Sequence, residues 1–122
     1  MRRALLVPLL VASGLAAAGS QPLQQPRAGL AHDMRECREA GDFIRNAALS
    51  RDNGMSREAF LGRLQEDLVA VRAYPKSLRW FVRNAGDEAF LVGEVESVFD
   101  APRSPELHRP DFIGRCLARP AG

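Results

Sequence analysis

The sequence has few of the residues from which metal and redox sites are built. It contains two cysteines, Cys37 and Cys116, and two histidines, His32 and His108. The cysteines are too far apart for a CxxC pair, which thioredoxin-type redox sites and covalent haem attachment need. Two distant cysteines and two distant histidines also make a poor zinc site. We therefore predict no metal and no cofactor.

Catalytic patterns are scarce as well. Ser104, His108 and Asp111 bring nucleophile, base and acid types close together in the chain. Catalytic triads, however, are assembled by folding from distant segments, and Pro110 separates these three residues. A helix cap explains Ser104 without any chemistry. We predict no catalytic residue and no enzymatic activity.

The histidines and the acid pair Asp87-Glu88 have ordinary structural interpretations. His32 and His108 are expected to be exposed to solvent, near the two cysteines. Asp87 and Glu88 are expected to favour a helix start through the helix dipole. We see no carboxyl group inside an apolar stripe, where burial would suit it to acid–base work.

A long hydrophobic run is missing too. The apolar stretch from Ala4 to about Ala18 spans near fifteen residues and is interrupted by Pro8, whereas a membrane span needs roughly 20. Arg2 and Arg3 precede the run, and small residues end it. This three-part pattern is typical of a secretory signal peptide over residues 1–18, so we predict no membrane span after its cleavage.

Cleavage is predicted after Ala18, with Ser20 as the alternative. No cysteine stands directly after the cleavage site, so a lipid anchor has no acceptor. Export to the periplasm, or further, allows Cys37 and Cys116 to pair. A bond between them closes a loop of about 80 residues, worth ~4.5 kcal/mol on the chain-entropy estimate.

Excess charge of either sign is also lacking. The chain has 17 Lys and Arg against 15 Asp and Glu. Arg2 and Arg3 leave with the leader, so 15 of each sign remain. Nucleic-acid binding usually needs a basic surface, so we predict no nucleic-acid partner.

The remaining length fits one small domain. Residues 19–32, rich in proline and glutamine, are expected to form a disordered lead-in. Residues 33–118 are expected to form the folded domain, and residues 119–122 a frayed tail.

Apolar residues recur at helical spacing, and no segment alternates with the period of a strand. The predicted fold is all-α: four to five short helices closed by one disulfide. A break is expected at Pro110, and the short connection around Asn53-Gly54 predicts that the first two helices are antiparallel neighbours. The expected helices cover approximately 32–50, 57–73, 76–83, 87–101 and 104–117.

Trp80 is the best candidate for a binding residue. We expect Leu78, Phe81 and Val82 to fill the inward side of the 76–83 helix, which turns Trp80 sideways or outward. It then lies among aromatic and basic residues of the types enriched at binding hot spots. The alternative is that Trp80 packs under the lead-in or against the Ser104 segment. The candidate partner-binding residues are Tyr74, Arg79, Trp80 and Arg83.

Several features occur together: the leader, Cys37 opening a helix, the Ala-rich face that leads into Arg51-Asp52-x-Gly54, the Val95-x-x-Val98-Phe99 stretch, and Cys116 near the end. With these features the chain resembles small exported proteobacterial proteins of helical type with one cysteine pair linking the two ends. The resemblance implies a helical periplasmic domain and carries no activity. In outline the architecture is also similar to periplasmic acid-stress chaperones, whose sequence motifs are not matched.

Two functions follow as hypotheses. The first is a non-enzymatic module that binds a protein partner in the cell envelope, as an inhibitor, an immunity-type antagonist of a toxin, or an adaptor. The second is a periplasmic stress or pH-responsive chaperone, whose packing loosens below about pH 4 as paired carboxylates protonate.

Overall fold

Four α-helices account for most of residues 29–121, the part of the chain that the computed structural model describes. A single 3₁₀ turn lies between the second and third helices, and no β-strand occurs within this range. The predicted all-α fold is confirmed. The leader and the lead-in up to residue 28 lie outside the described residues. The elements are α1 (Met34–Asp52), α2 (Arg57–Val71), the 3₁₀ turn (Lys76–Leu78), α3 (Ala85–Asp100) and α4 (Pro105–Leu117).

Three of the helices begin at a side-chain cap. Asp33, Ser56 and Asn84 each accept a hydrogen bond from the backbone N–H three residues further on, at 2.8–3.0 Å. α4 instead starts with Pro105 in its first turn, where no N–H partner is needed, and Ser104 makes no side-chain cap bond. These local signals set the helix starts, so the first and third helices begin two residues away from the predicted positions.

The end of α1 is fixed by a glycine turn and an arginine. Gly54 has φ +99°, a conformation that favours glycine. The guanidinium of Arg51 donates to the carbonyl oxygens of Val98 and Arg103, each at 2.7 Å. The turn therefore ends α1 while Arg51 ties it to the end of α3 and to the connection that follows.

α1 packs most extensively against α4, and the disulfide joins these two helices. Cys37 and Cys116 form the predicted bond with a Cα–Cα distance of 5.8 Å, and both are fully buried. Gly41 marks the close crossing, because a Cβ at this position would lie 3.0 Å from Cγ1 of Ile113. The predicted disulfide is confirmed.

α2 lies against α3 rather than along α1, so the expected close pairing of the first two helices is not observed. The ring of Phe60 on α2 contacts Phe99 on α3, with centroids 5.8 Å apart. Phe43 on α1 approaches Phe60 at the same centroid distance. A short turn sets where α2 begins but not its direction, which follows from the face that α2 buries.

The predicted break at Pro110 is wrong, because α4 continues through it to Leu117. Proline removes one backbone N–H donor, at a cost of a few kcal/mol. Phe112 and Cys116, both fully buried, anchor the helix beyond the proline. Tertiary packing and the disulfide therefore outweigh the local signal.

The predicted helix over 76–83 is reduced to the 3₁₀ turn, and Leu78 is 70 % exposed rather than inward. Phe81 and Val82 are buried as expected, but they lie in irregular chain after the turn. Arg79 holds this segment against the end of α2 by donating to the carbonyls of Tyr74 at 2.9 Å and Arg72 at 3.0 Å.

The two ends of the described chain meet. Leu30 and Pro120 form an isolated antiparallel bridge, and the N–H of Ala31 donates to the Arg119 carbonyl at 3.0 Å. The sequence predicts a disordered lead-in up to residue 32 and a frayed tail from residue 119, so the paired backbone at these two places differs from the prediction. Backbone pairing here brings the end of the lead-in and the tail onto the folded domain.

Candidate functional site

An apolar groove opens where α2 leans away from α1, and we call it the α1–α2 groove. It has a volume of about 300 Å³, and Asp67 is the only charged residue in its lining. Leu64 and Leu68 of α2 form one wall, while Phe43 comes from α1. The remaining lining residues are Val71, Trp80, Val82 and Leu91.

The groove continues towards the turn between α1 and α2. A second cavity of about 260 Å³ shares Phe43, Leu64 and Asp67 with the first. Its own lining adds Ser50, Met55, Phe60 and the cationic Arg63. Phe60 and Val71 therefore mark the two ends of one concave strip along α2.

Trp80 stands at the rim of this groove, 41 % exposed. Its ring meets Phe43 edge to face, with centroids 5.8 Å apart and an interplanar angle of 64°. It also contacts Phe81, whose centroid is 5.6 Å away. Aromatic contacts thus fix one side of the indole and leave the other available.

The irregular segment after the 3₁₀ turn places Trp80 by alternation. Successive side chains of extended chain point to opposite sides. Trp80 and Val82 line the groove, while Phe81 between them turns into the core and stacks on His32 at 3.8 Å. A helix over these residues, as the sequence predicts, would not separate them in this way.

A basic surface adjoins the end of the groove where α2 terminates, and we call it the basic shoulder. Its cations are Arg72, Lys76, Arg79 and Arg83, and Glu88 is the only acid in the same shallow depression. Arg72 pairs with Glu88 at 2.6 Å and lowers the pKa of that carboxyl.

The four predicted partner-binding residues do not form one cluster. Trp80 faces the groove and Tyr74 is 58 % exposed beyond the end of α2. Arg79 is half-buried and occupied by backbone carbonyls. Arg83 reaches away to Glu36 of α1, at 2.9 and 3.0 Å. Partner binding by these residues stays a prediction, now centred on Trp80.

A buried ionic cluster lies on the far side of Phe81. Nδ1 of His32 is 3.0 Å from Oε1 of Glu36, and Nε2 is 3.1 Å from Oδ1 of Asp87. Asp87 also accepts from Nη1 of Arg119 at 2.9 Å and from the backbone N–H of Arg83 at 3.1 Å. The cluster links both chain ends to α1 and α3.

Arginine sets the electrostatics of this cluster. The two hydrogen bonds from Arg83 lower the pKa of Glu36 to about 2, although partial burial acts in the opposite direction. Arg119 additionally lies over the ring of Phe90, 4.6 Å from its centroid. Glu36 and Asp87 are therefore held among cationic partners.

The expected exposure of the two histidines is wrong. His32 is 2 % exposed and His108 is 6 % exposed. Nε2 of His108 accepts from the backbone N–H of Arg103 at 3.0 Å and lies 3.4 Å from Nη1 of Arg51. Burial and the nearby Arg51 lower the pKa of His108.

Asp87 also differs from expectation. It lies in the first turn of α3, as predicted, but it is 3 % exposed and binds groups from both chain ends. Its buried environment was missed because His32 lies 55 residues away along the chain. The only local signal was the i, i+4 spacing of His32 and Glu36.

The acidic and imidazole groups of the cluster are not arranged as metal ligands. Within residues 29–121, no group of three or more His, Cys, Asp or Glu side chains is placed to hold a metal ion. Glu36 and Asp87 face different ring nitrogens of His32, so their oxygens do not converge on one point. No helix in this range is both long and apolar enough to cross a membrane.

No protein-family model matches the chain, and neither a curated protein nor a solved structure shows significant similarity to it.

Proposed function

We propose that this chain is an exported, non-enzymatic module that binds a protein partner through the α1–α2 groove. The half-exposed Trp80 at the rim of an apolar groove carries the proposal. Tryptophan is among the residue types enriched at the hot spots of protein interfaces, and exposed apolar surface beside it marks an interaction site. An inhibitor, an immunity-type antagonist or an envelope adaptor would each use such a surface.

Export is supported by two independent features. The first eighteen residues have the charge, apolar stretch and small residues of a signal peptide. The disulfide between Cys37 and Cys116 persists in oxidising compartments such as the periplasm. N-terminal sequencing of the periplasmic protein should read from Gly19, and an uncleaved Met1 would contradict the leader.

The non-enzymatic part of the proposal is supported by how the ionisable groups are used. A general base needs a nitrogen or oxygen within reach of a substrate proton. His32 has both ring nitrogens facing carboxylates, and Nε2 of His108 accepts a backbone N–H. Both rings are enclosed by the fold.

Site-specific photo-crosslinking tests the binding surface. A photoreactive amino acid at Val71, in the groove, should trap a partner when the full chain is expressed with its own leader. The same group at Leu107, 49 % exposed on α4, is the matched control. The purified partner should then bind the wild type and lose at least tenfold in affinity to Trp80→Ala. Equal crosslinking at both positions, or unchanged affinity, would reject the groove.

A second candidate, an acid-responsive chaperone, is favoured by the buried ionic cluster. The pKa of Glu36 is lower in the folded chain than its ordinary value of 4.5. Its contribution to stability is therefore present above pH 4.5 and is lost as the pH falls towards 2. The lowered pKa of His108 acts in the same direction, beginning below its usual value of about 6.5.

An apolar dye tests this candidate. Fluorescence should rise between pH 4.5 and 2 if acid opens the core, and Glu36→Gln should weaken that pH dependence. Glu39→Gln, on the exposed side of α1, is the control. A dye signal that is flat to pH 2 would exclude an acid-triggered chaperone.

A further inference from the structure

His108 lies near the start of α4, where this helix meets the end of α1. Its ring is buried, and Nε2 accepts a hydrogen bond from the backbone N–H of Arg103 at 3.0 Å. A backbone N–H only donates, so Nε2 holds a lone pair and the ring proton is on Nδ1. The fold therefore uses the neutral form of His108 as a hydrogen-bond acceptor.

The surroundings of Nε2 oppose a proton at this atom. Nη1 of Arg51, from the end of α1, lies 3.4 Å away. The same guanidinium donates to the carbonyl oxygens of Val98 on α3 and of Arg103 in the connection 101–104, each at 2.7 Å. A proton on Nε2 would turn one N–H towards another and place a positive charge beside Arg51. The contacts that close this end of the helix bundle thus require a neutral ring.

The charged groups around the ring do not offset this effect. From the end of α1, the connection 101–104 and α4 they are Arg51, Asp52, Arg103, Asp111 and Arg115. Asp52 pairs with Arg51 and Asp111 with Arg103, while Glu94 of α3 pairs with Arg115. Burial, Arg51 and Arg103 lower the pKa of His108 from its ordinary value of 6.5. The contribution of the neutral ring to stability is therefore present above pH 6.5 and is lost as the pH falls below it.

The two ends of the α1–α4 pair are held by different interactions. Near the start of α1, Cys37 is bonded to Cys116 at the end of α4, and this link does not depend on protonation. The opposite end is held by the hydrogen bonds of Arg51 and His108 and by the exposed pair of Arg45 with Glu106. Exposed pairs contribute little, so loss of the hydrogen bonds would open this end alone.

We propose that His108 is an acid-sensitive switch within this fold. The neutral ring holds the connection 101–104 on the end of α1. Protonation at Nε2 releases that connection, while the disulfide keeps the other end of the α1–α4 pair closed. The switch acts below about pH 6.5, where histidine takes up a proton, whereas Glu36 responds only below pH 4.5. It does not depend on the proposed function, because no residue of the α1–α2 groove takes part.

Hydrogen exchange of the Arg103 amide, followed by NMR on the disulfide-bonded protein, tests the release directly. Its protection, relative to an unstructured chain at the same pH, should fall by about fivefold between pH 7.5 and pH 5. The Ala59 amide, which donates to Oγ of Ser56, is the internal control and should keep its protection.

Two variants assign the effect to His108. The side-chain oxygen in His108→Gln can accept near the position of Nε2 and does not titrate, so protection of the Arg103 amide should no longer change with pH. Glu106→Gln, exposed on the same helix, is the matched control that should keep the wild-type response. Urea denaturation gives a second measure. The ratio of the unfolding constants of the wild type and His108→Gln should rise about threefold from pH 7.5 to pH 5. This ratio cancels the contributions of His32 and the carboxylates, which both proteins contain.

Three results would overturn the proposal. The first is a ring proton on Nε2 at pH 7.5, seen in the ¹⁵N spectrum of the imidazole. The second is an Arg103 amide whose protection is constant from pH 7.5 to pH 5, or changes equally in the wild type and His108→Gln. The third is a parallel loss of protection at Ala59 and Arg103, because acid would then unfold the whole chain rather than one end.

Discussion

The two sides of α1 are held by different means. On one side α4 crosses closely at Gly41 and is joined to α1 by the disulfide. On the other side α2 leans away, and the groove between them is bridged by the rings of Phe43 and Phe60. We refer to these as the closed side and the open side.

The difference follows from side-chain size. On the closed side, Gly41 of α1 lets the backbones of α1 and α4 approach closely. This close packing also brings Cys37 and Cys116 to the distance that a disulfide requires. On the open side, the ring of Phe43 on α1 lies against Phe60 of α2 and separates the two helices. A domain of this size has a small core, and the disulfide adds to the stability that this core provides.

Removing the disulfide should give the largest effect and tests whether the closed side carries the fold. Cys37→Ala/Cys116→Ala should lower the free energy of unfolding by about 4 kcal/mol, because the loop of 79 residues is no longer closed in the unfolded chain. Urea denaturation measures the change. A loss below about 1 kcal/mol would mean that packing alone closes this side.

The buried ionic cluster should come next. Asp87→Ala should cost about 3 kcal/mol, since it leaves Arg119 and His32 without their buried acceptor. Asp42→Ala, in an exposed pair with Arg109, is the control and should change stability by less than about 1 kcal/mol. Similar losses of unfolding free energy in the two variants would show that the burial of Asp87 does not increase its contribution to stability.

Trp80→Ala should cost about 2 kcal/mol, less than the loss of a fully buried ring, because the indole is 41 % exposed and its aromatic contacts are with Phe43 and Phe81 only. Phe81→Ala, one residue away and fully buried, should cost about 4 kcal/mol. Chemical denaturation compares the two. A large loss in Trp80→Ala would make this residue part of the core.

Two glycines compare the close helix crossing of the closed side with an exposed helix position on α2. Gly62→Ala on α2 should raise stability by about 1 kcal/mol, because no atom lies within 4 Å of the added Cβ and alanine favours helix. Gly41→Ala should lower stability by about 1 kcal/mol, because Ile113 would have to move. Thermal unfolding of both variants should show shifts of opposite sign. A stabilised Gly41→Ala would mean that the helix crossing is looser than its distance indicates.

Local sequence signals predicted the elements better than their arrangement. Asn53-Gly54 and Ser56 set the boundary between α1 and α2, and a cap residue or proline starts each helix. The cysteine count allowed one pairing only. Pro110 is the exception. Its local signal predicted a break, but the buried Phe112 and Cys116 that follow it keep the chain helical.

The sequence predicted only part of the candidate site, and the reason is physical. Trp80 stood out by composition, but the groove beside it exists because α2 packs against α3. The ionic cluster joins His32 to Asp87 across 55 residues. Neither feature leaves a periodic pattern in the chain.

The sequence by itself determined that the chain is helical, where most helices start and stop, and which two cysteines pair. The helices depend on helix propensity and on capping residues, which act locally. The cysteine pairing depends only on there being two cysteines. Only the tertiary structure decided that His32, His108 and Asp87 are buried, that α4 continues through Pro110, and that α2 leaves a groove along α1. These depend on contacts between residues far apart in the chain, which are fixed only when the whole core packs.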